Sequence, residues 1–274
     1  MDSTYQGYSS QATNLWLLAC LLYIWIFLVS VPLSLFLTQY SSSIAQLWFV
    51  KFLEKYVVRG WIIIWFTLLY IVNLATDNRK LSFDIKNPKT LRCVKIYIAN
   101  FVWLTILLEW CLGPPLFERV SVWSGAHCTV PQVSGEYACQ RAGGNWINPF
   151  DSSSHYTMLL SCSLLVWDLV IPYLPSYAIY RKFGTMLETR ENSAAAAAAA
   201  VEPDLEMNGW AETNDSKISD YKKIVVLVSL IFISLWLISY CTTSLFFHTI
   251  PEKLVGLICG LFIPLLSHTI PLRS

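Results

Sequence analysis

The amino-acid sequence predicts an all-α membrane protein, a single polytopic bundle of six transmembrane helices formed by residues 1–274. Three observations predict it. The residues AVILMFWYC make up 55% of the chain and DEKR only 14%, whereas a soluble domain carries roughly 25% charged residues. Mean hydropathy is +0.50. Six separate runs approach the roughly 20 apolar residues that a helix needs to cross a hydrocarbon core about 30 Å thick. A net charge of +1 offers no bulk attraction to nucleic acid, so any anion site must be local.

The first span, residues 15–37, carries no charge, is too long for a signal-peptide core and follows no basic stretch, so it is expected to be retained. The second, 60–76, is short and charge-free. The third, 96–114, contains Glu109; the fourth, 156–180, contains Asp168, Pro172 and Pro175. The fifth, 224–247, is again free of charge, and the sixth, 254–272, holds Pro264 and His268. Between spans four and five, residues 181–223 include Ala194–Ala200 inside a low-complexity linker, 192–219. Six spans put both termini on one side. Of the 19 Lys and Arg, all but Lys51, Lys55, Arg59, Arg119, Arg141 and Lys253 fall on that side, so both termini are expected in the cytosol and the loop 115–155 in the lumen. Cys128 and Cys139 both lie in that loop. A disulfide between them fits an oxidising compartment, and two free thiols are the alternative.

This topology separates the histidines. His155 begins the fourth span and His248 ends the fifth, so both are expected at the luminal membrane face. Asp151-Ser152-Ser153-Ser154 is a run of N-cap formers, and Thr249-Ile250-Pro251-Glu252 reads as a turn into the sixth span. Two helix N-termini would then face the lumen, where their N–H groups suit phosphate. Ser153, Ser154, Lys253 and Arg119 are the candidate substrate-binding residues; Asp151, Glu109 and Glu252 are candidates to orient a histidine. Two histidines beside an anion pocket are the equipment of phosphoryl transfer, one attacking phosphorus and the other protonating the departing oxygen. The competing reading makes them solvated or packing residues at a membrane interface. No third ligand stands at a zinc-site spacing, so no metal and no cofactor is expected. Asp168, 13 residues beyond His155 and about 20 Å along a helix, is expected to pair within the bundle or line a lipid cavity.

Phe150-Asp151-Ser152-Ser153-Ser154-His155 and Phe247-His248-Thr249-Ile250-Pro251-Glu252-Lys253-Leu254-Val255-Gly256 resemble the two signature regions of the fat storage-inducing transmembrane (FIT) family. The first reads there approximately Phe-Asp-Ile-Ser-Gly-His; the second reads Tyr-His followed by Glu-Lys or Gln-Lys and Gly. Trp123-Ser124-Gly125, Cys128, Cys139, Gly143, Gly144 and Trp146 look like the yeast branch, and the similarity runs from Glu118 to Pro264. The resemblance implies a multi-pass endoplasmic reticulum protein, related in fold to lipid phosphate phosphatases, that supports lipid-droplet formation and membrane-lipid homeostasis. It implies an acyl-CoA diphosphatase that splits fatty acyl-CoA into acyl 4'-phosphopantetheine and adenosine 3',5'-bisphosphate, with His248 as nucleophile and His155 as leaving-group acid.

Ser154 stands where the family has Gly, and Ser152 where it has Ile. The Arg of the third lipid phosphate phosphatase motif has no counterpart, which disfavours a general phosphatidate phosphatase. A non-catalytic protein that binds triacylglycerol or diacylglycerol and promotes droplet formation is the alternative.

Overall fold

A computed structural model describes residues 3–77, 87–108, 115–133, 135–147, 154–174 and 220–269, without the side chains of 3–13 and 77. The linker 192–219, Glu109, Asp151, Ser152 and Ser153 lie outside the described residues. The chain is an all-α helical bundle. Five helices are long and apolar enough to cross a membrane, and six if a bent pair counts as one span.

Helix α1, Ser3–Leu37, is followed by a 3-10 turn at Thr38–Tyr40 and the short helix α2, Ser41–Gln46. Helix α3, Trp48–Phe52, runs on as a π-helical turn, Leu53–Val58. The chain then bends by 59° into α4, Ile62–Asp77. The bend falls at Gly60, whose φ of 74° glycine adopts without a Cβ penalty. At about 1.5 Å per residue α4 alone reaches about 24 Å, short of a hydrocarbon core about 30 Å thick, so a crossing at this point needs residues from before the bend. The segment before the bend exposes Trp48, Phe49, Phe52 and Tyr56 beside Lys51 and Lys55, and Arg59 and exposed Trp61 flank Gly60, the aromatic and cationic composition of a membrane–water boundary.

Helix α5, Pro88–Leu108, begins eight residues before the apolar run, because its first two turns are amphipathic. Thr90 and Cys93 are buried there, and Arg92 reaches across to donate to Ser267 O at 2.9 Å. Residues 115–147 form a small covered hairpin: α6, Leu116–Trp123; β1, His127–Cys128; α7, Glu136–Arg141; and β2, Trp146–Ile147, antiparallel to β1. A Cys128–Cys139 disulfide ties β1 to α7. A Cβ at Gly144 would lie 2.7 Å from Cys128 Sγ, so that position has no room for a side chain.

Helix α8, Ser154–Val170, is the centre of the bundle: 72% of its span is buried, against 28% for α1 and for α5. It stops at Val170 and passes into a 3-10 turn, Ile171–Tyr173, because Pro172 has no N–H for the helical ladder. Helices α9, Asp220–Phe246, and α10, Ile250–Thr269, complete the fold. Around α8 the core gathers Trp16, Tyr23, Phe66, Tyr156, Leu160, Trp236 and Tyr240. The outward faces carry leucines, isoleucines and aromatics, among them Leu18, Trp25, Ile98, Ile231 and Ile258.

The bundle axis is polar at several levels. Tyr23 pairs with Ser163 and Ser161 with Asn100, Thr157 donates to Gly256 O at 3.2 Å, and Asn73 donates to Ser229 Oγ at 2.8 Å. Far along α8 from His155, Asp168 Oδ1 lies 3.2 Å from His268 Nε2. The contact has the distance of an ion pair, although Nε2 has no partner of hydrogen-bond geometry. The His268 ring stacks on Trp16, with 3.8 Å between centroids. Asp168 thus joins α8, α10 and α1, in the pairing role expected of it.

Helices α8 and α10 meet through small residues. A Cβ at Gly260 would lie 3.0 Å from Thr157 O and 3.1 Å from Leu160 Cβ. Gly256 and Gly260 form a Gly-x-x-x-Gly pair, the spacing that puts two glycines on one helix face and lets backbones approach in a bilayer.

Candidate active site

The α9–α10 elbow is built by its own side chains. His248 has φ 61°, the left-handed conformation that ends many helices but usually falls to Gly or Asn. Thr249 then opens α10, with Lys253 N donating to Thr249 O at 3.0 Å. Three residues on, Glu252 Oε2 accepts the Thr249 backbone N–H at 2.6 Å, one half of a capping box. The same carboxylate oxygen lies 3.9 Å from His248 Nδ1. Glu252 therefore holds the start of α10 while its carboxylate lies close to the imidazole.

Lys253 does not take the place foreseen for it. Its side chain is 0% exposed, and Nζ donates to Ser244 O at 2.8 Å, in the last turn of α9. A cation there complements the carbonyl end of the helix, so the ammonium is spent within the elbow instead of facing a ligand. Ser244 Oγ donates to Tyr240 O at 2.8 Å and lies 3.1 Å from the Tyr156 hydroxyl. This links the elbow to α8 one residue from His155.

His155 lies in the first turn of α8 and is half-buried; Ser154 opens that helix. The two histidines line one cavity of about 440 Å³. Its walls come from three elements: Val50, Leu53, Glu54 and Val58 before the bend; His155 and Leu159 of α8; and Ser239, Thr242, Thr243, Phe247 and His248 of α9 and the elbow. The spacings follow helix geometry, since 155 and 159, or 239, 243 and 247, share a face. Ser239, Thr242 and Thr243 donate to carbonyls one turn back, Leu235, Ile238 and Ser239, at 2.9 Å each. Their outward surface is consequently less polar than their names suggest. The cavity combines an apolar wall with imidazoles and a carboxylate.

Glu54 is a member that sequence reasoning missed; nothing in its spacing separates it from a solvated acid. Its Oε1 lies 3.5 Å from Arg59 Nη1. Arg119 is exposed on α6 and does not line the cavity. Thr249–Glu252, by contrast, carried a readable capping-box pattern, and Gly256–Gly260 a readable helix-packing pattern. Among the described residues, no group of three or more His, Cys, Asp or Glu is arranged to hold a metal ion.

No solved structure matches the chain. Over 135 residues it is 27% identical to a Schizosaccharomyces pombe protein named acyl-coenzyme A diphosphatase fit1, a match covering 46% of this chain and 47% of that relative. The match thus spans about half the length of the curated relative. The family model described as fat storage-inducing transmembrane protein matches residues 42–266, a stretch that contains the bent segment, the disulfide hairpin, both histidines and the elbow. With most of its length matched, this chain belongs to the FIT family.

Proposed function

We propose that the protein is an acyl-CoA diphosphatase of the endoplasmic reticulum membrane, hydrolysing fatty acyl-CoA to acyl 4'-phosphopantetheine and adenosine 3',5'-bisphosphate. The observation that carries this reading is the shared cavity of His155 and His248, two imidazoles from different helices on one pocket with an apolar wall. The diphosphate meets the histidines, and the acyl side lies along Leu53, Val58 and Leu159. With Nδ1 on the Glu252 side at 3.9 Å, Nε2 of His248 is the nitrogen assigned to attack. It forms a bond to one phosphorus as the bond from that phosphorus to the bridging oxygen breaks, and His155 delivers a proton to the departing oxygen. Water then attacks the phosphohistidine, His155 takes the proton of that water, and His248 is restored.

The positive-charge imbalance between loops and the disulfide in the hairpin leading into α8 support a luminal site with cytosolic termini. Lipid-droplet formation and membrane-lipid homeostasis are the physiological roles that go with this activity. The apolar cavity wall also suits a second reading, a carrier of diacylglycerol or triacylglycerol whose histidines are polar anchors.

Purified, detergent-solubilised protein incubated with oleoyl-CoA separates the two. Release of adenosine 3',5'-bisphosphate by the parent, and none by His155→Ala or His248→Ala, is the expected result. Each substitution removes a group from a unit that acts together, so losses of several orders of magnitude are expected. A folded parent that binds neutral lipid and releases no nucleotide sinks the enzyme reading.

A further inference from the structure

A diphosphate brings negative charge into a cavity whose described lining contains no Lys or Arg. Lys253 is buried and capped on Ser244 O, Arg119 is elsewhere, and residues 148–153 contain no Lys or Arg. The lining even holds a carboxylate, Glu54, which by itself would repel the substrate. Among the described residues, one cation touches that carboxylate: Arg59 Nη1 stands 3.5 Å from Glu54 Oε1. Its backbone is fixed at the end of the π-helical turn, with Arg59 N donating to Glu54 O at 2.6 Å, and the left-handed Gly60 follows. The Arg59 side chain is 74% exposed and that of Glu54 50%. An ion pair this open to water is held weakly, whereas a guanidinium donates in a fork that fits two phosphate oxygens.

We propose that Arg59 is the substrate-binding cation of this site, paired with Glu54 of the cavity wall and transferred to the diphosphate when it enters. Glu54 is then a competitor for Arg59 that tunes affinity, and the pair determines specificity for a doubly phosphorylated ligand. Lys51 and Lys55 are on the same segment, but it is Arg59 that pairs with Glu54. Lys55 Nζ lies 5.1 Å over the Tyr56 ring. The inference rests on the diphosphatase reading, and it makes a prediction that a structural salt bridge does not. Removing either partner of a structural bridge has effects of the same sign; removing the two partners of an exchanging pair has opposite ones.

The test is equilibrium binding of inorganic pyrophosphate to the purified full-length protein by calorimetry, with oleoyl-CoA hydrolysis measured in parallel. Arg59→Ala is expected to weaken pyrophosphate binding and raise KM by about tenfold or more, the loss of one charge-assisted contact. Glu54→Gln is expected to tighten both several-fold, and Lys51→Ala to change neither. Equal weakening by Arg59→Ala and Glu54→Gln, or no change from Arg59→Ala, overturns the proposal, even if the parent hydrolyses oleoyl-CoA. Pyrophosphate binding that follows the expected pattern in a parent that hydrolyses nothing supports the anion site and removes the diphosphatase reading instead.

Discussion

Gly260 is the position at which the packing of the bundle bears most directly on the two histidines. A Cβ there would stand 3.0 Å from Thr157 O and 3.1 Å from both Leu160 Cβ and Cδ2, a few tenths of an ångström inside ordinary contact. Two of these three atoms are backbone or Cβ, so no rotamer change relieves them. Gly260→Ala adds one methyl group and also gains about 1 kcal/mol of helix propensity; the two effects nearly cancel, and little change in stability is expected. Gly260→Leu adds three further carbons with the same propensity gain, and overpacking of this kind costs about 1–3 kcal/mol or forces α10 away from α8. That movement matters because His155 is the second residue of α8 and α10 begins just after His248. A displacement of about 1 Å at reacting groups can cost about 100-fold in rate. The measurements are thermal unfolding in detergent and oleoyl-CoA hydrolysis well below the unfolding transition, with Ile258→Leu as a lipid-facing control on the same helix. The expected order is parent, Ile258→Leu and Gly260→Ala together, with Gly260→Leu lower by several degrees and far less active. A Gly260→Leu protein as stable and as active as the parent would refute the close α8–α10 contact.

Three further outcomes follow from the geometry. Glu252→Gln keeps a hydrogen-bond acceptor for Thr249 N but removes the charge facing His248, so kcat should fall about tenfold with small loss of stability, whereas Glu252→Ala should also lose about 1 kcal/mol from the cap; equal kcat for Glu252→Gln and parent would exclude the orienting role. Mass spectrometry of unreduced protein should find Cys128 joined to Cys139, and Cys128→Ser/Cys139→Ser should destabilise the hairpin by about 2–3 kcal/mol; two free thiols would argue against the luminal placement of that loop. Asp168→Leu and His268→Leu should each destabilise by about 1–2 kcal/mol, and the double variant by less than their sum, since each single change leaves a polar partner in the bundle; strict additivity would show that the 3.2 Å contact carries no coupling.

What the sequence determined by itself was the part of the problem set by the solvent. A bilayer requires long apolar helices with their backbone groups satisfied internally, and the runs around Leu15–Leu37 and Ile224–Phe247 meet that requirement without any tertiary information. His155 and His248 were legible as a pair for a similar reason, because each borders a span, and the ends of spans that cross in alternate directions lie at one face. Element ends were less legible. The start of α5 at Pro88 and the end of α8 at Val170 depend on amphipathic turns and on a proline's missing N–H, which an apolar window averages away. Tertiary structure alone decided the use of charge. Lys253 and Glu54 look alike in sequence, each an ionisable residue near the end of an apolar run. Folding buries Lys253 against the carbonyl end of α9 and sets Glu54 in the cavity wall. The difference arises because a 59° bend and a helix elbow bring residues some 200 positions apart to one point, and the desolvation of a charge depends on those neighbours and not on its place in the chain.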